Sequence, residues 1–102
     1  MKLKIISPEA LSNYLYRDEI LIIDLREKSD YEREHIPGAI WADWEKIEKE
    51  IEQILYKTGR NIEWIILYCD HGNISLLISR DLGRAGYNVI SLNGGYSRWK
   101  SL

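Results

Sequence analysis

The most reactive side chain in the sequence is the thiol of Cys69, the single cysteine of the chain. It follows the apolar run 64–68 directly, and residues 70–75 after it contain one glycine and lead into a helical pattern from Ser75. A short loop between a buried strand and a helix N-terminus can turn backbone N–H groups inward, and the helix dipole adds partial positive charge. An anion in this loop would be stabilised, and a thiolate held there would be a sulfur nucleophile.

The same pattern has a second interpretation. Free cysteine is among the most buried residue types, so Cys69 could be a small apolar side chain at the end of a strand. Spacing alone does not choose between the two alternatives. A single cysteine does exclude an intramolecular disulfide, a CxxC redox pair and a zinc site built from several thiolates.

Predicted strands and helices alternate along the chain, which is typical of an α/β fold. The apolar runs 20–23 and 64–68 indicate strands covered on both faces, and three further strands are predicted at 2–6, 39–41 and 88–92. The sequence thus predicts a parallel five-stranded sheet with helices on both faces and right-handed crossovers.

Capping residues and apolar spacing predict where the helices begin and end. The predicted helices run from Ser7 to near Arg17, from Ser29 or Asp30 over a short stretch, from Asp43 to Gly59, from Ser75 to near Gly86, and as one turn around Trp99.

Three unusual features each follow a predicted strand: Asp24, Cys69 and the Asn-Gly-Gly turn at 93–95. In open parallel sheets, ligands bind beyond the carboxyl ends of the strands. We therefore expect these features to share one edge of the sheet.

Composition limits the classes of protein. The chain has 102 residues, enough for one compact unit, and its formal net charge of -2 gives no electrostatic reason to bind nucleic acid or an anionic membrane. The longest apolar runs are far shorter than the roughly 20 residues that cross a bilayer, so no membrane association is expected. No apolar signal segment follows the basic N-terminus, which predicts a cytoplasmic protein.

A set of motifs, taken together, resembles the rhodanese-like (sulfurtransferase) domain family. The motifs occur in family order from about Lys4 to Trp99, so the resemblance implies a single rhodanese-like domain over residues 1–102. They are Asp24-Leu25-Arg26, Tyr31, His35-Ile36-Pro37-Gly38-Ala39-Ile40, Tyr68-Cys69, Gly72 with Ser75, Gly86-Tyr87-Asn88-Val89, and Gly94-Gly95 with Trp99.

The resemblance implies a function for the cysteine loop. Cys69 matches the family's nucleophile, which takes sulfane sulfur from a small donor as a persulfide and passes it to a thiophilic acceptor. A sulfur-relay protein is one candidate partner, and the family uses no metal and no organic cofactor. The backbone amides that would cradle the persulfide are those of Asp70, His71, Gly72, Asn73, Ile74 and Ser75.

Other residues receive supporting roles. Asp24 and Arg26 match the family's Asp-x-Arg, which we interpret as an ion pair that braces the loop rather than as a substrate contact. His71 is either a solvated side chain or a residue that acts on the substrate, as a proton donor or a contact. Trp44 and Trp64 occupy positions patterned for the core.

The loop departs from the family in its charge. Members that use thiosulfate often have basic residues beside the cysteine and before the Ser or Thr, where this chain has Asp70 and Ile74. Thiosulfate, a dianion, is therefore a doubtful donor. The same departure keeps open an alternative function, that of a non-catalytic module for protein interaction or regulation.

Overall fold

The computed structural model describes residues 2–102, which form one α/β domain. Its five strands form one sheet, and every pair of neighbouring strands is parallel, in the order β1-β5-β4-β2-β3. The strands are β1 (Lys2–Ile6), β2 (Ile20–Asp24), β3 (Ile40–Trp41), β4 (Trp64–Tyr68) and β5 (Asn88–Leu92). The helices are α1 (Lys28–Arg33), α2 (Ile47–Thr58), α3 (Asn73–Arg84) and α4 (Gly95–Lys100), with a 3-10 helix at Glu9–Asn13.

The three central strands are buried because both of their faces are covered. All five residues of β2 are buried, and so are the last four of β4 and of β5. Their side chains divide between two apolar clusters, one on each face of the sheet. The cluster containing Ile51 and Ile78 packs against α2 and α3, whereas the cluster containing Leu11 and Tyr96 packs against the 3-10 helix and α4. The predicted fold, a parallel five-stranded sheet with helices on both faces, is confirmed.

The first predicted helix is shorter than expected. The Ser7 hydroxyl accepts the N–H of Ala10 at 3.2 Å, but the N-cap is Pro8 instead of the predicted Ser7, and the segment forms a 3-10 helix that ends at Asn13. Tyr16 then has a positive φ of 62°, a conformation that no right-handed helix can contain. The predicted continuation to Arg17 is therefore wrong.

Three other helices begin at different residues from those predicted. Helix α1 begins at Lys28, before the expected Ser29 or Asp30. Asp43 accepts the N–H of Glu45 at 2.9 Å, but this bond closes a turn, and α2 starts at Ile47. Helix α3 starts at Asn73 instead of Ser75 because Gly72, with φ 99°, takes the left-handed conformation at its N-cap. Residues 73–75 thus belong to the first turn of α3.

The sheet brings the chemically unusual residues together as predicted. Asp24 is the last residue of β2, Cys69 follows β4, and the turn at 93–95 follows β5. These three strands are neighbours in the sheet and run in the same direction, so their carboxyl ends form one edge. In the part of the chain that the structure describes, no helix combines the length and apolar composition needed to cross a membrane.

Candidate active site around Cys69

The sulfur atom of Cys69 lies against the N-terminus of α3. The residue is only 5% exposed, and its Sγ accepts the backbone N–H of Gly72 at 3.2 Å and that of Ser75 at 3.4 Å. The hydroxyl oxygen of Ser75 is 3.6 Å from the same sulfur. A twelve-residue helix also directs the positive end of its dipole toward this point. The surroundings therefore favour an anion at Sγ.

Two of the six predicted loop amides bond Sγ, those of Gly72 and Ser75. The side chains of Asp70, His71 and Asn73 are exposed, and together with Ile74 they line the adjacent cleft. Within the predicted segment, the N–H groups of Gly72 and Ser75 are thus the ones that reach the sulfur, a distinction that the sequence did not make.

The turn between β5 and α4 holds the cysteine loop from behind. The N–H of Tyr96 donates to the carbonyl of Cys69 at 2.8 Å, and the N–H of Ser97 donates to that of Asp70 at 3.0 Å. Gly95, with φ 61°, permits this approach, because a Cβ there would overlap the Cys69 carbonyl and lie 2.6 Å from the Asp70 oxygen. The predicted Gly-Gly turn therefore packs against the cysteine loop and supports it.

Asp24 and Arg26 form a buried ion pair beside the loop. The Asp24 carboxylate accepts three side-chain bonds from Arg26 at 2.8–3.2 Å and its backbone N–H at 2.8 Å. The guanidinium also donates to the carbonyl of Glu34 at 2.7 Å and lies 3.9 Å from the ring centre of Tyr96. Burial acts to lower the pKa of Arg26, but Asp24 outweighs it and the pKa is raised, so the guanidinium stays charged.

Tyr68 lies beside this pair, in the same apolar cluster as Ile36 and Tyr96. It is fully buried, and its hydroxyl accepts the N–H of Ile36 at 3.1 Å. Burial, and secondly the neighbouring Asp24 carboxylate, raise the pKa of Tyr68 far above its ordinary value of 10.0. The pair is thus enclosed by aromatic rings, and its bonding partners lie within the protein.

A cleft of about 550 Å³ opens beside the thiol. Trp44 is 39% exposed and lies on this cleft, so the prediction that it belongs to the core is wrong. The helical spacing that suggested the core begins only at Ile47, where α2 starts. Trp41 is half-buried, and its indole N–H donates to the carbonyl of Arg26 at 2.7 Å. Trp64 does pack against a core cluster, as predicted.

Sequence reasoning missed Ser91. This residue lies on β5, is 2% exposed, and its hydroxyl is 3.1 Å from that of Ser75. Ser75 in turn is 3.3 Å from the carbonyl of Gly72, to which it donates. The buried hydroxyl groups of Ser91 and Ser75 therefore form a hydrogen-bonded pair, and that of Ser75 contacts Sγ.

The described residues contain no group of three or more His, Cys, Asp or Glu side chains that could hold a metal ion. His35 lies against Tyr31 and not in the cleft: its Nδ1 is 2.8 Å from the carbonyl of Tyr31, and its ring stacks on the ring of that residue. His71 is exposed at the rim of the cleft.

A parallel sheet with a cysteine loop at its carboxyl edge defines a small α/β domain with one candidate site, and comparison with known proteins identifies its family. The family model "Rhodanese-like domain" matches residues 7–102. The chain therefore belongs to the rhodanese-like domain family.

Two curated relatives are named sulfurtransferases. The chain is 32% identical over 81 residues to the tRNA sulfurtransferase of Desulfurococcus amylolyticus, a match that covers 79% of this chain and 15% of that protein. It is 31% identical over 84 residues to the thiosulfate sulfurtransferase GlpE of Coxiella burnetii, covering 81% of this chain and 74% of the relative. The chain thus corresponds to most of the second relative but to a small part of the first.

A solved structure shares the fold. A rhodanese-related protein from Thermoplasma volcanium superposes with a TM-score of 0.78 at 19% identity, over 96% of this chain and 91% of that one.

Proposed function

We propose that the protein is a sulfurtransferase or sulfur carrier that holds sulfane sulfur as a persulfide on Cys69. The observation that carries the proposal is the pair of backbone N–H groups, from Gly72 and Ser75, that converge on Sγ at the N-terminus of α3. The names of both sulfurtransferase relatives support the same class of reaction. Asp24 and Arg26 would brace the loop without touching the substrate.

The proposed reaction has two steps. The Cys69 thiolate attacks the outer sulfur of a persulfide R–S–SH, a new S–S bond forms at Sγ, and R–S⁻ leaves with the electron pair of the broken S–S bond. A thiophilic acceptor, a small thiol or a sulfur-relay protein, then takes the outer sulfur and regenerates the thiolate. The two N–H groups and the helix dipole stabilise negative charge on sulfur in both states.

We propose a persulfide rather than thiosulfate as the main donor. One relative is named a thiosulfate sulfurtransferase, but Asp70 and Ile74 give this loop a carboxylate and no cation beside Cys69. A dianionic donor would be repelled there. A cysteine that must stay reduced to act fits a reducing compartment, and we place the protein in the cytoplasm.

Asp70 and Ile74 also support a second candidate, a rhodanese-like module that binds a partner protein and transfers no sulfur. The two candidates differ in one measurable property, because only the carrier takes up sulfur at Cys69.

Intact mass after treatment with a persulfide donor tests the proposal. We expect the wild type to gain one sulfur, roughly 32 Da, after gel filtration, to lose it on treatment with a thiol reductant, and to pass it to an added acceptor thiol. Cys69→Ser is the control and should gain nothing. A native protein that takes up no sulfur while Cys69 remains open to alkylation would favour the binding module.

A further inference from the structure

The cleft beside Cys69 carries an excess of negative charge. Four carboxylate side chains line it, against one lysine and one arginine. The carboxylates are Glu27, Asp43, Glu45 and Asp70, and the cations are Lys28 and Arg26.

The two cations offer little to an anionic substrate. The guanidinium of Arg26 is bound to Asp24 and to the carbonyl of Glu34, and its side chain is 4% exposed. The ammonium group of Lys28 lies over the ring of Trp41, 5.6 Å from its centre. An anion entering the cleft would therefore meet carboxylates without a free guanidinium to pair with.

A cation entering the cleft would meet two kinds of group that bind cations, carboxylates and an exposed aromatic ring. The carboxylates of Asp43 and Glu45 flank Trp44 in the sequence, and all three residues line the cleft. Trp44 is 39% exposed as a residue, and the face of an indole attracts an ammonium group through its quadrupole. Carboxylates and an exposed indole together favour a small organic ammonium ion.

We infer that the sulfur substrate of this cleft is an aminothiol persulfide, a small molecule that carries an ammonium group beside its sulfur atoms. The inference rests on the proposed function and names the class of donor that it uses. The outer sulfur of the donor would reach Cys69 while its ammonium group lies among Asp43, Glu45 and Trp44.

The transfer itself needs no further reactant. The Cys69 thiolate takes the outer sulfur of ⁺H₃N–R–S–SH, the S–S bond of the donor breaks, and the aminothiol leaves as its thiolate, which water protonates. The ammonium group takes no part in the bond changes and serves only to hold the donor.

Three donors of similar size and different charge test the inference: the persulfides of cysteamine, mercaptoethanol and mercaptopropionate. The initial rate of sulfur gain on Cys69 is measured by intact mass at low donor concentration. We expect cysteamine persulfide to load about tenfold faster than mercaptopropionate persulfide, with mercaptoethanol persulfide between them. Added salt should reduce this ratio because it screens exposed charges.

The acidity of the leaving thiol also affects such rates, so the ratio of two donors must be compared between variants. Asp43→Asn with Glu45→Gln removes two cleft charges, and Asn keeps an oxygen that can accept the Glu45 N–H. We expect this double variant to reduce the cysteamine to mercaptopropionate ratio about fivefold. Glu52→Gln with Glu63→Gln removes two exposed charges outside the cleft and should leave the ratio unchanged.

The outcomes separate this inference from the proposed function. A ratio that falls only in the cleft variant supports the ammonium site. Equal ratios in the cleft variant and the wild type, with sulfur still loading on Cys69, would overturn the substrate class and leave the sulfurtransferase standing. Failure of all three donors to load the wild type would overturn both.

Discussion

Cys69 is buried, yet its sulfur atom is surrounded by hydrogen-bond donors and not by hydrocarbon alone. The two interpretations that the sequence left open, a buried apolar residue and an activated thiol, differ in these neighbours. An apolar cysteine has no need of the N–H groups of Gly72 and Ser75, which bond Sγ at 3.2 and 3.4 Å. The geometry therefore favours chemistry at this sulfur atom over simple packing.

The buried hydroxyl groups of Ser75 and Ser91 form a path to Sγ. A hydroxyl has one hydrogen, and that of Ser75 is donated to the Gly72 carbonyl, so Ser75 must exchange this bond for one to Sγ when the thiol ionises, while Ser91 can donate to its oxygen over 3.1 Å. We expect Ser75→Ala to slow alkylation of Cys69 by iodoacetamide near neutral pH about tenfold, and Ser91→Ala about threefold.

Ser79→Ala is the matched control for these variants. Ser79 lies one turn further along α3, is fully buried, and its hydroxyl has no partner among the described residues. Its removal should leave the alkylation rate unchanged. Equal slowing by Ser79→Ala would mean that packing, and not the hydroxyl pair of Ser75 and Ser91, determines the alkylation rate of Cys69.

The charge of the loop gives a second prediction at this scale. Asp70→Arg combined with Ile74→Arg replaces a carboxylate and an apolar side chain at the cleft with two guanidinium groups. We expect this variant to raise thiosulfate:cyanide sulfurtransfer at least tenfold, mainly by lowering KM. Asp70→Asn combined with Ile74→Gln controls for the loss of the native side chains. High activity of the wild type with thiosulfate would contradict the electrostatic argument.

Some residues could be assigned from the sequence and others could not. Cys69, Asp24 and the Gly-Gly turn were predictable because each follows a strongly apolar strand, and the edge of a parallel sheet then brings them together. Ser91 was not, because it lies within an apolar strand and only the pairing of β5 with β4 places it near Ser75. The exposure of Trp44 depends on where α2 begins, which local pattern does not determine well.

At the scale of elements, the cysteine loop is held between α3 and the turn that leads into α4. Two backbone bonds from α4 fix the carbonyls of Cys69 and Asp70, and Gly72 lies so close to this turn that a Cβ there would be 3.1 Å from the Gly94 nitrogen. The loop thus keeps its shape through main-chain contacts. The shape of the loop therefore depends little on the identity of its side chains.

Gly95→Ala tests this support. The new Cβ would overlap the Cys69 carbonyl, so we expect a loss of unfolding free energy of about 3 kcal/mol and slower sulfur loading. Gly59→Ala is the control, because Gly59 has a similar φ of 65° and open space where the Cβ would lie. It should cost about 1 kcal/mol and leave loading unchanged. Urea unfolding and intact mass measure the two effects, and equal costs for both variants would contradict the close approach.

At the scale of the whole molecule, the regular elements followed from the sequence better than the segments between them. The central strands are apolar on both faces, and that pattern belongs to a buried parallel sheet. The end of the short 3-10 helix and the start of α3 depend instead on two residues with positive φ, Tyr16 and Gly72. Glycine often adopts this conformation, but the local sequence does not indicate it for a tyrosine. The ion pair of Asp24 and Arg26 was expected from the sequence, but its burial beside Tyr68 needed the fold to become visible.

Tyr68 makes the free energy of unfolding depend on pH in the alkaline range. Because burial, with Asp24, raises its pKa in the folded state, the unfolded chain loses this proton near its ordinary value of 10.0 while the folded protein keeps it. Stability is therefore fully present below that pH and falls above it, by up to about 1.4 kcal/mol per pH unit for this one proton. Urea unfolding as a function of pH measures the slope.

Tyr68→Phe removes the titrating group and should flatten that alkaline slope by up to one proton. The variant loses the bond to the N–H of Ile36, so its stability at neutral pH is lower, but the slope is the diagnostic quantity. Tyr56→Phe, at an 87% exposed position, should leave the slope as it is in the wild type. An unchanged slope in Tyr68→Phe would show that Tyr68 ionises equally in both states.

The central claim is that the folded loop stabilises a persulfide on Cys69, and the lifetime of that persulfide tests it most directly. The loaded protein is divided, one half is kept native and the other unfolded in urea, and the sulfur that remains is followed by intact mass. Two N–H bonds to an anion predict a half-life at least about tenfold longer in the native protein. An equal or shorter half-life in the native protein would contradict the claim.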